Sequence, residues 1–203
     1  MKTKRFFLQA VLFEGGLGVI ALFFGFLFGL KFFRSVFFDV EVFLIIFGLT
    51  LPLLVCYFVL RLLPFESLRA IDRLVSEIFQ KYLSHLSILQ LAIISVAAGF
   101  GEEFFFRGLL QSGICEVIDN YIAAGTGVYL NLFTVLVIIF VSILFGIAHA
   151  ITKIYFFLAF LISVYLGLML ILTGNMIIPI AVHAFYDFFI FVFHYQKSKK
   201  QNQ

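Results

Sequence analysis

The chain has no tryptophan, only three prolines and two cysteines, and charged residues make up just 12% of its 203 positions. Each shortage excludes something. The two cysteines, Cys56 and Cys115, show no C-x-x-C or other ligand spacing, so they offer neither a disulfide framework nor a cysteine metal site. Both are expected as buried apolar packers. So little charge, beside 64% hydrophobic residues and a mean hydropathy of +1.16, excludes an ordinary soluble domain. The net charge of +3 would suit nucleic acid, but the basic residues lie at segment ends and form no stripe, so no nucleic-acid partner is expected. Without tryptophan, anchoring at the membrane interface falls to the eight tyrosines and to Lys and Arg. No small-residue cleavage site follows the first apolar run, which starts directly after MKTKR and reads as a retained helix.

What the chain does have is a series of apolar runs near the roughly 20 residues that cross a bilayer. They predict an all-α polytopic membrane protein with about six transmembrane helices and one interfacial amphipathic helix. The expected spans are 6–30, 42–63 with Pro52 as a candidate kink, 86–117, 129–149, 154–172 and 176–195. The third is longer than a bilayer needs, so it is expected to tilt or bend, most cheaply at Gly99 and Gly101. Between spans fall a loop with Lys31, Arg34, Asp39 and Glu41, another with Asp119, Asn120, Gly125 and Gly127, and a tight turn at Thr173 to Asn175. In residues 64–84, Leu68, Ile71, Leu74, Val75, Ile78 and Phe79 recur at helical spacing with Arg69, Asp72, Arg73, Glu77 and Lys81 between them, which predicts an anchoring elbow along the interface. The organisation is then residues 1–85 as two helices plus elbow, 86–196 as a helical core, and 197–203 as a polar tail. With both termini inside, only Lys31, Arg34 and Arg107 among the 14 basic residues fall elsewhere, which predicts cytoplasmic termini, in the plasma membrane.

Against this background three polar clusters stand out: Glu102, Glu103 and Arg107 in GEEFFFRG, His149 ending LFGIAHA, and His183 with Asp187 in AVHAFYDFF. Ionisable groups within apolar helices are expensive, so together they point to a functional site. Residues four apart share a helical face, so Glu103 and Arg107 are expected to form an ion pair. Glu102 is turned about 100° from Glu103 and has no local basic partner, which makes it the candidate general base. A helix clamp, with both glutamates on Arg107, is the structural alternative. His183 and Asp187, also four apart, can share a proton, a water or a metal. His85 and His194, at membrane edges, are expected to be solvated anchors.

The ordered trio EEFFFR, FGIAH at 145–149 and HAFYD at 183–187 resembles the Glu-Glu-x-x-x-Arg, Phe-x-x-x-His and His-x-x-x-Asn/Asp motifs of the CAAX-processing and bacteriocin-processing (CPBP, or Abi) intramembrane endopeptidases, which include the type 2 CAAX prenyl endopeptidase. The likeness runs from about Leu86 to Tyr195. It implies hydrolysis of a peptide bond in a membrane-associated protein or peptide, with Glu102 activating water, His149 assisting, Glu103 holding Arg107, and His183 with Asp187 at the oxyanion. Asp187 departs from the Asn of well-known relatives, since an ionised carboxylate cannot donate a hydrogen bond. It must be protonated, orient His183, or bind a metal. The family has been described as both metallo- and glutamate-dependent. Zinc or another divalent metal on Glu102, His149, His183 and Asp187 is the alternative to a metal-free site, although no H-E-x-x-H is present.

Two other readings stand beside the peptidase: a proton- or cation-coupled transporter, against which the lack of an internal repeat speaks, and a non-catalytic scaffold or immunity protein. A geometric demand accompanies the peptidase reading. At about 1.5 Å per residue, straight helices put Glu102 beyond mid-membrane and His149 near the inner end of its span. A shared site therefore requires the third helix to tilt or the fourth to stop short in a water-filled cavity.

Overall fold

The computed structural model describes residues 2–30, 36–121 and 132–201. Among them the chain is helical and contains no strand, as the apolar runs require. The helices are α1 (Lys2–Leu27), α2 (Val40–Leu62), α3 (Glu66–Ile78), α4 (Ile88–Glu103), α5 (Gly113–Tyr121), α6 (Leu132–Ala148), α7 (Lys153–Thr173) and α8 (Ile177–Gln201), with π-helical turns at Phe79–Leu83 and Phe104–Ser112. Among the described residues five helical stretches are long and apolar enough to cross a membrane: those within α1, α2, α7 and α8, and the continuous 88–118 rod from α4 into α5. The described part of α6 has 17 residues, fewer than a full span. Large apolar side chains such as Phe13, Phe26, Leu62, Val96 and Leu172 point outward, a surface made for lipid.

Local chemistry sets the helix ends. The Asp39 side chain accepts a hydrogen bond from the Val42 backbone N–H at 2.8 Å and starts α2, which continues through Pro52. Ser87 and Gln90 form a reciprocal capping box at the start of α4. Thr152 caps α7 through the Tyr155 N–H, and Gly174, in the left-handed region at φ +62°, closes it. That is the tight turn expected at Thr173 to Asn175.

Helix α4 lies between α1 and α8, and two glycines make this possible. A Cβ at Gly99 would stand 2.6 Å from the Ile180 carbonyl oxygen of α8, and one at Gly101 would run into the Glu14 carbonyl oxygen of α1. These positions therefore admit neighbouring backbones, and the departure from α-helical winding comes instead just beyond them, at Phe104–Ser112. Gly101→Ala is expected to force α1 away from α4 and cost about 1–3 kcal/mol. The unfolding midpoint in detergent checks this, with Gly48→Ala, which meets nothing within 4 Å, as the neutral comparison.

The elbow helix α3 is tethered rather than loosely laid on the interface. Arg61 at the end of α2 grips Asp72 with both Nε (2.7 Å) and Nη2 (3.0 Å), and Lys197 of α8 approaches the same carboxylate at 3.5 Å. Partial burial works against the Asp72 charge, but the Arg61 hydrogen bonds prevail and hold its carboxyl below the usual range.

Several expectations need correcting. His194 is 2% exposed and bonded to the Tyr57 hydroxyl at 2.8 Å, with Ser76 beside its other ring nitrogen. The bundle covers α8 there, so it is an internal tie, whereas His85 is exposed as anticipated. Cys115 is buried, but Cys56 lies on the outer face of α2. Asp119 and Asn120 belong to α5, and the polar residues from Lys197 to Gln201 continue α8. Lys31, Arg34, Gly125, Gly127 and Tyr129 lie outside the described residues.

Candidate active site

Four helices deliver ionisable side chains to one place in the bundle. Glu102 and Glu103 end α4, Arg107 lies in the π-helical turn, His149 follows α6, and His183 and Asp187 project from α8. The wider π winding belongs to this arrangement, since such turns recur at functional sites. It turns Arg107 and Gln111 toward α7, where they donate to the carbonyls of Ser163 (3.0 Å) and Gly167 (3.1 Å).

The expected ion pair is present: Arg107 Nε lies 3.0 Å from Glu103 Oε2, and neither side chain has any exposed surface. Glu103 has a second partner, because its Oε1 sits 2.9 Å from His183 Nδ1. It thereby joins the Arg107 anchor to α8. The two glutamates do not both clamp Arg107. Glu102 Oε2 instead faces His149 Nε2 at 3.7 Å, too far for a direct hydrogen bond and close enough for one water to touch both. The two residues that straight helices would separate thus lie side by side, with His149 on the turn that follows Ala148.

The histidine environments differ. His149 Nδ1 lies 2.9 Å from the Phe145 carbonyl oxygen, which can only accept, so Nδ1 carries the proton and Nε2 presents a lone pair toward Glu102. Its ring stacks on Phe145, with centroids 4.4 Å apart, while the Arg107 guanidinium sits over that same Phe145 ring at 5.2 Å. His183 stands between two carboxylates, Glu103 on Nδ1 and Asp187 Oδ2 3.6 Å from Nε2. Among the described residues no three His, Cys, Asp or Glu side chains group as a metal-holding set.

Glu102, His149, His183 and Asp187 open onto a cavity of about 240 Å³. Its remaining wall is largely apolar, from Leu53 of α2, Ile71 and Val75 of α3, Leu158 and Ile162 of α7, and Ile190 of α8, with the rings of Tyr57, Tyr155 and Tyr186 between them. Ile71 and Val75 give the elbow a role beyond anchoring, since they close one side of the cavity. The volume is below the roughly 300–1,000 Å³ of pockets that enclose a small molecule.

Glu14, in the middle of α1, was missed by the motif reading. Its backbone carbonyl packs against Gly101 of α4, the residue before Glu102, and its Oε2 is buried, which brings a further carboxyl close to the site. The signal was available in sequence, since Glu14 is an acidic residue inside an apolar span.

Comparison with curated proteins yields no match, and neither does comparison with solved structures. The model of one family, described as Type II CAAX prenyl endopeptidase Rce1-like, matches residues 84–189, more than half of the chain and the stretch that carries all three motifs. This helical membrane protein therefore belongs to the Rce1-like type II CAAX prenyl endopeptidase family, a family of membrane proteases.

Proposed function

We propose that the chain hydrolyses a peptide bond in a membrane-associated protein or peptide, with Glu102 as the general base. The observation that carries this reading is the pair Glu102 Oε2 and His149 Nε2, two acceptors 3.7 Å apart beside a cavity. A water donating one O–H to each is held with its lone pairs turned outward, toward a carbonyl carbon. As the water oxygen bonds to that carbon, Glu102 takes its proton, and the developing oxyanion accepts from the Nε2–H of His183. When the C–N bond breaks, the proton on Glu102 passes to the leaving nitrogen, giving a carboxylic acid and an amine. Asp187 Oδ2, 3.6 Å from His183 Nε2, faces the same nitrogen and orients the ring. Glu103 and Arg107 position that imidazole rather than touch substrate.

A glutamate-dependent mechanism is supported by how the ring nitrogens are committed. Each ring has one nitrogen tied inside the bundle, Nδ1 of His183 to Glu103 and Nδ1 of His149 to the Phe145 carbonyl, and each Nε2 faces a carboxylate, Asp187 at 3.6 Å and Glu102 at 3.7 Å. The apolar cavity wall suits a lipid-modified or apolar C-terminal segment, in keeping with the prenylated CAAX tail in the family description. The distribution of Lys and Arg supports both termini in the cytoplasm, and the plasma membrane is the proposed location. The first 85 residues supply the α1 and α2 walls and the elbow, and residues 86–196 the catalytic core.

Removing the second acceptor tests the water site. His149→Ala is expected to lower kcat on a membrane-tethered peptide by about 10²–10⁴-fold with the unfolding midpoint nearly unchanged. An unchanged kcat would overturn the arrangement.

A further inference from the structure

The catalytic cavity is closed on its α3 side by a thin partition. Val75, Tyr155 and Phe191 line it, and the same three side chains line a second void of about 150 Å³ against the elbow. They therefore stand between the two spaces. The second void is bounded further by Ile78, Phe79, Leu83 and Ile151, with His194 beside them, so its wall is mostly apolar. The partition is close to the chemistry: Phe191 lies one turn beyond Asp187 on α8, about 6 Å along the axis, and Asp187 faces His183. A side chain entering the cavity beside the scissile bond has room for a few carbons before it meets these residues. Val75 is the smallest of the three and the one carried by the elbow.

The elbow can hold such a limit because its rotation is fixed. Ile71, Val75 and Ile78 recur at helical spacing and form the stripe that faces the two voids. On the adjacent stripe Asp72 is gripped by Arg61 of α2, while Ser76 accepts from Lys197 Nζ at 3.3 Å and lies 3.4 Å from His194 Nδ1, both on α8. These two anchors flank Val75 in the chain.

We propose that Val75 is a specificity-determining residue: with Tyr155 and Phe191 it sets the length of the aliphatic substrate side chain that the cavity accepts beside the scissile bond. The occupant is aliphatic because the wall around it includes Leu53, Ile71, Ile162 and Ile190. Val75 lies outside residues 84–189, so the elbow selects the substrate that the family-matched region cleaves. This rests on the cavity being the place of peptide-bond hydrolysis.

The test gives the full-length protein in lipid vesicles a series of membrane-tethered prenylated peptides. The residues flanking the bond cut by wild type, read by mass spectrometry, carry straight alkyl side chains of increasing length. For wild type, kcat/KM is expected to drop by at least about 10-fold at one chain length, the scale on which apolar pockets discriminate methylenes. Val75→Ala opens the partition and is expected to raise kcat/KM on that first excluded peptide by at least about 10-fold, whereas Val75→Phe moves the limit to shorter chains. Ile78→Ala enlarges the second void without touching the partition and should leave the limit in place. A gain on a longer peptide cannot come from a misfolded protein, and should Val75→Ala fail to fold, Val75→Phe decides alone. The absence of a length limit in wild type, an unmoved limit in a folded Val75 variant, or the same gain from Ile78→Ala overturns the proposal. The two failures are distinct: a protein that cuts none of the peptides removes peptide hydrolysis and this role with it, whereas cleavage with a limit indifferent to position 75 removes only the role of Val75.

Discussion

Replacing Arg107 by Leu is expected to destabilise the protein by about 3–5 kcal/mol, the usual consequence of taking one partner from a buried ion pair. The guanidinium has no exposed surface and is bound in three directions: Nε to Glu103 at 3.0 Å, Nη2 to the Ser163 carbonyl of α7 at 3.0 Å, and its face to the Phe145 ring of α6. Leu would pack in the space but leave the Glu103 carboxylate with His183 as its remaining partner among the described residues, and would free the Ser163 carbonyl. The effect should exceed that of His149→Ala on stability, because His149 is partly exposed and bonds only its own helix end. Denaturant or thermal unfolding in detergent measures it; an unchanged midpoint would show that Arg107 is not the anchor. Changing Glu103 and Arg107 together to Leu should recover part of the stability, since no charge is then stranded, while activity stays lost because His183 has lost its Glu103 partner.

The helices and most of the site could be read from the sequence because both rest on local rules. Apolar runs define spans, and four-residue spacing gave Glu103 with Arg107 and His183 with Asp187, both of which meet in the structure. What spacing cannot convey is how helices meet. That Glu103 also reaches His183, 80 positions away, depends on α4 and α8 crossing at Gly99, and those glycines looked in sequence like bend points. The burial of His194 had the same origin: its neighbours Tyr57 and Ser76 come from α2 and α3, and nothing near it in the chain announces them. Glu14 was overlooked because a lone carboxylate belongs to no spacing pattern, although its cost in a span marked it. The π winding at Phe104–Ser112 was equally hidden, because one turn of wider pitch leaves no compositional trace.

Glu102 should carry the largest effect on catalysis. Its carboxylate faces His149 Nε2 at 3.7 Å, is 8% exposed, and opens onto the cavity. Gln keeps the size and the hydrogen bonding but has no basic oxygen that can take a proton from water. The loss should therefore appear in kcat, at about 10³-fold or more, which is toward the upper end of what general-base catalysis contributes. Folding should be spared, since replacing a buried carboxyl by an amide removes a desolvation cost rather than stranding a charge.

The most direct measurement of the central claim is cleavage of a membrane-tethered prenylated peptide by purified wild-type and Glu102→Gln protein in lipid vesicles, with the new C-terminus read by mass spectrometry and folding by the unfolding midpoint. The account predicts one defined new terminus from wild type and none from the equally stable variant. Cleavage by Glu102→Gln at the wild-type rate would contradict it.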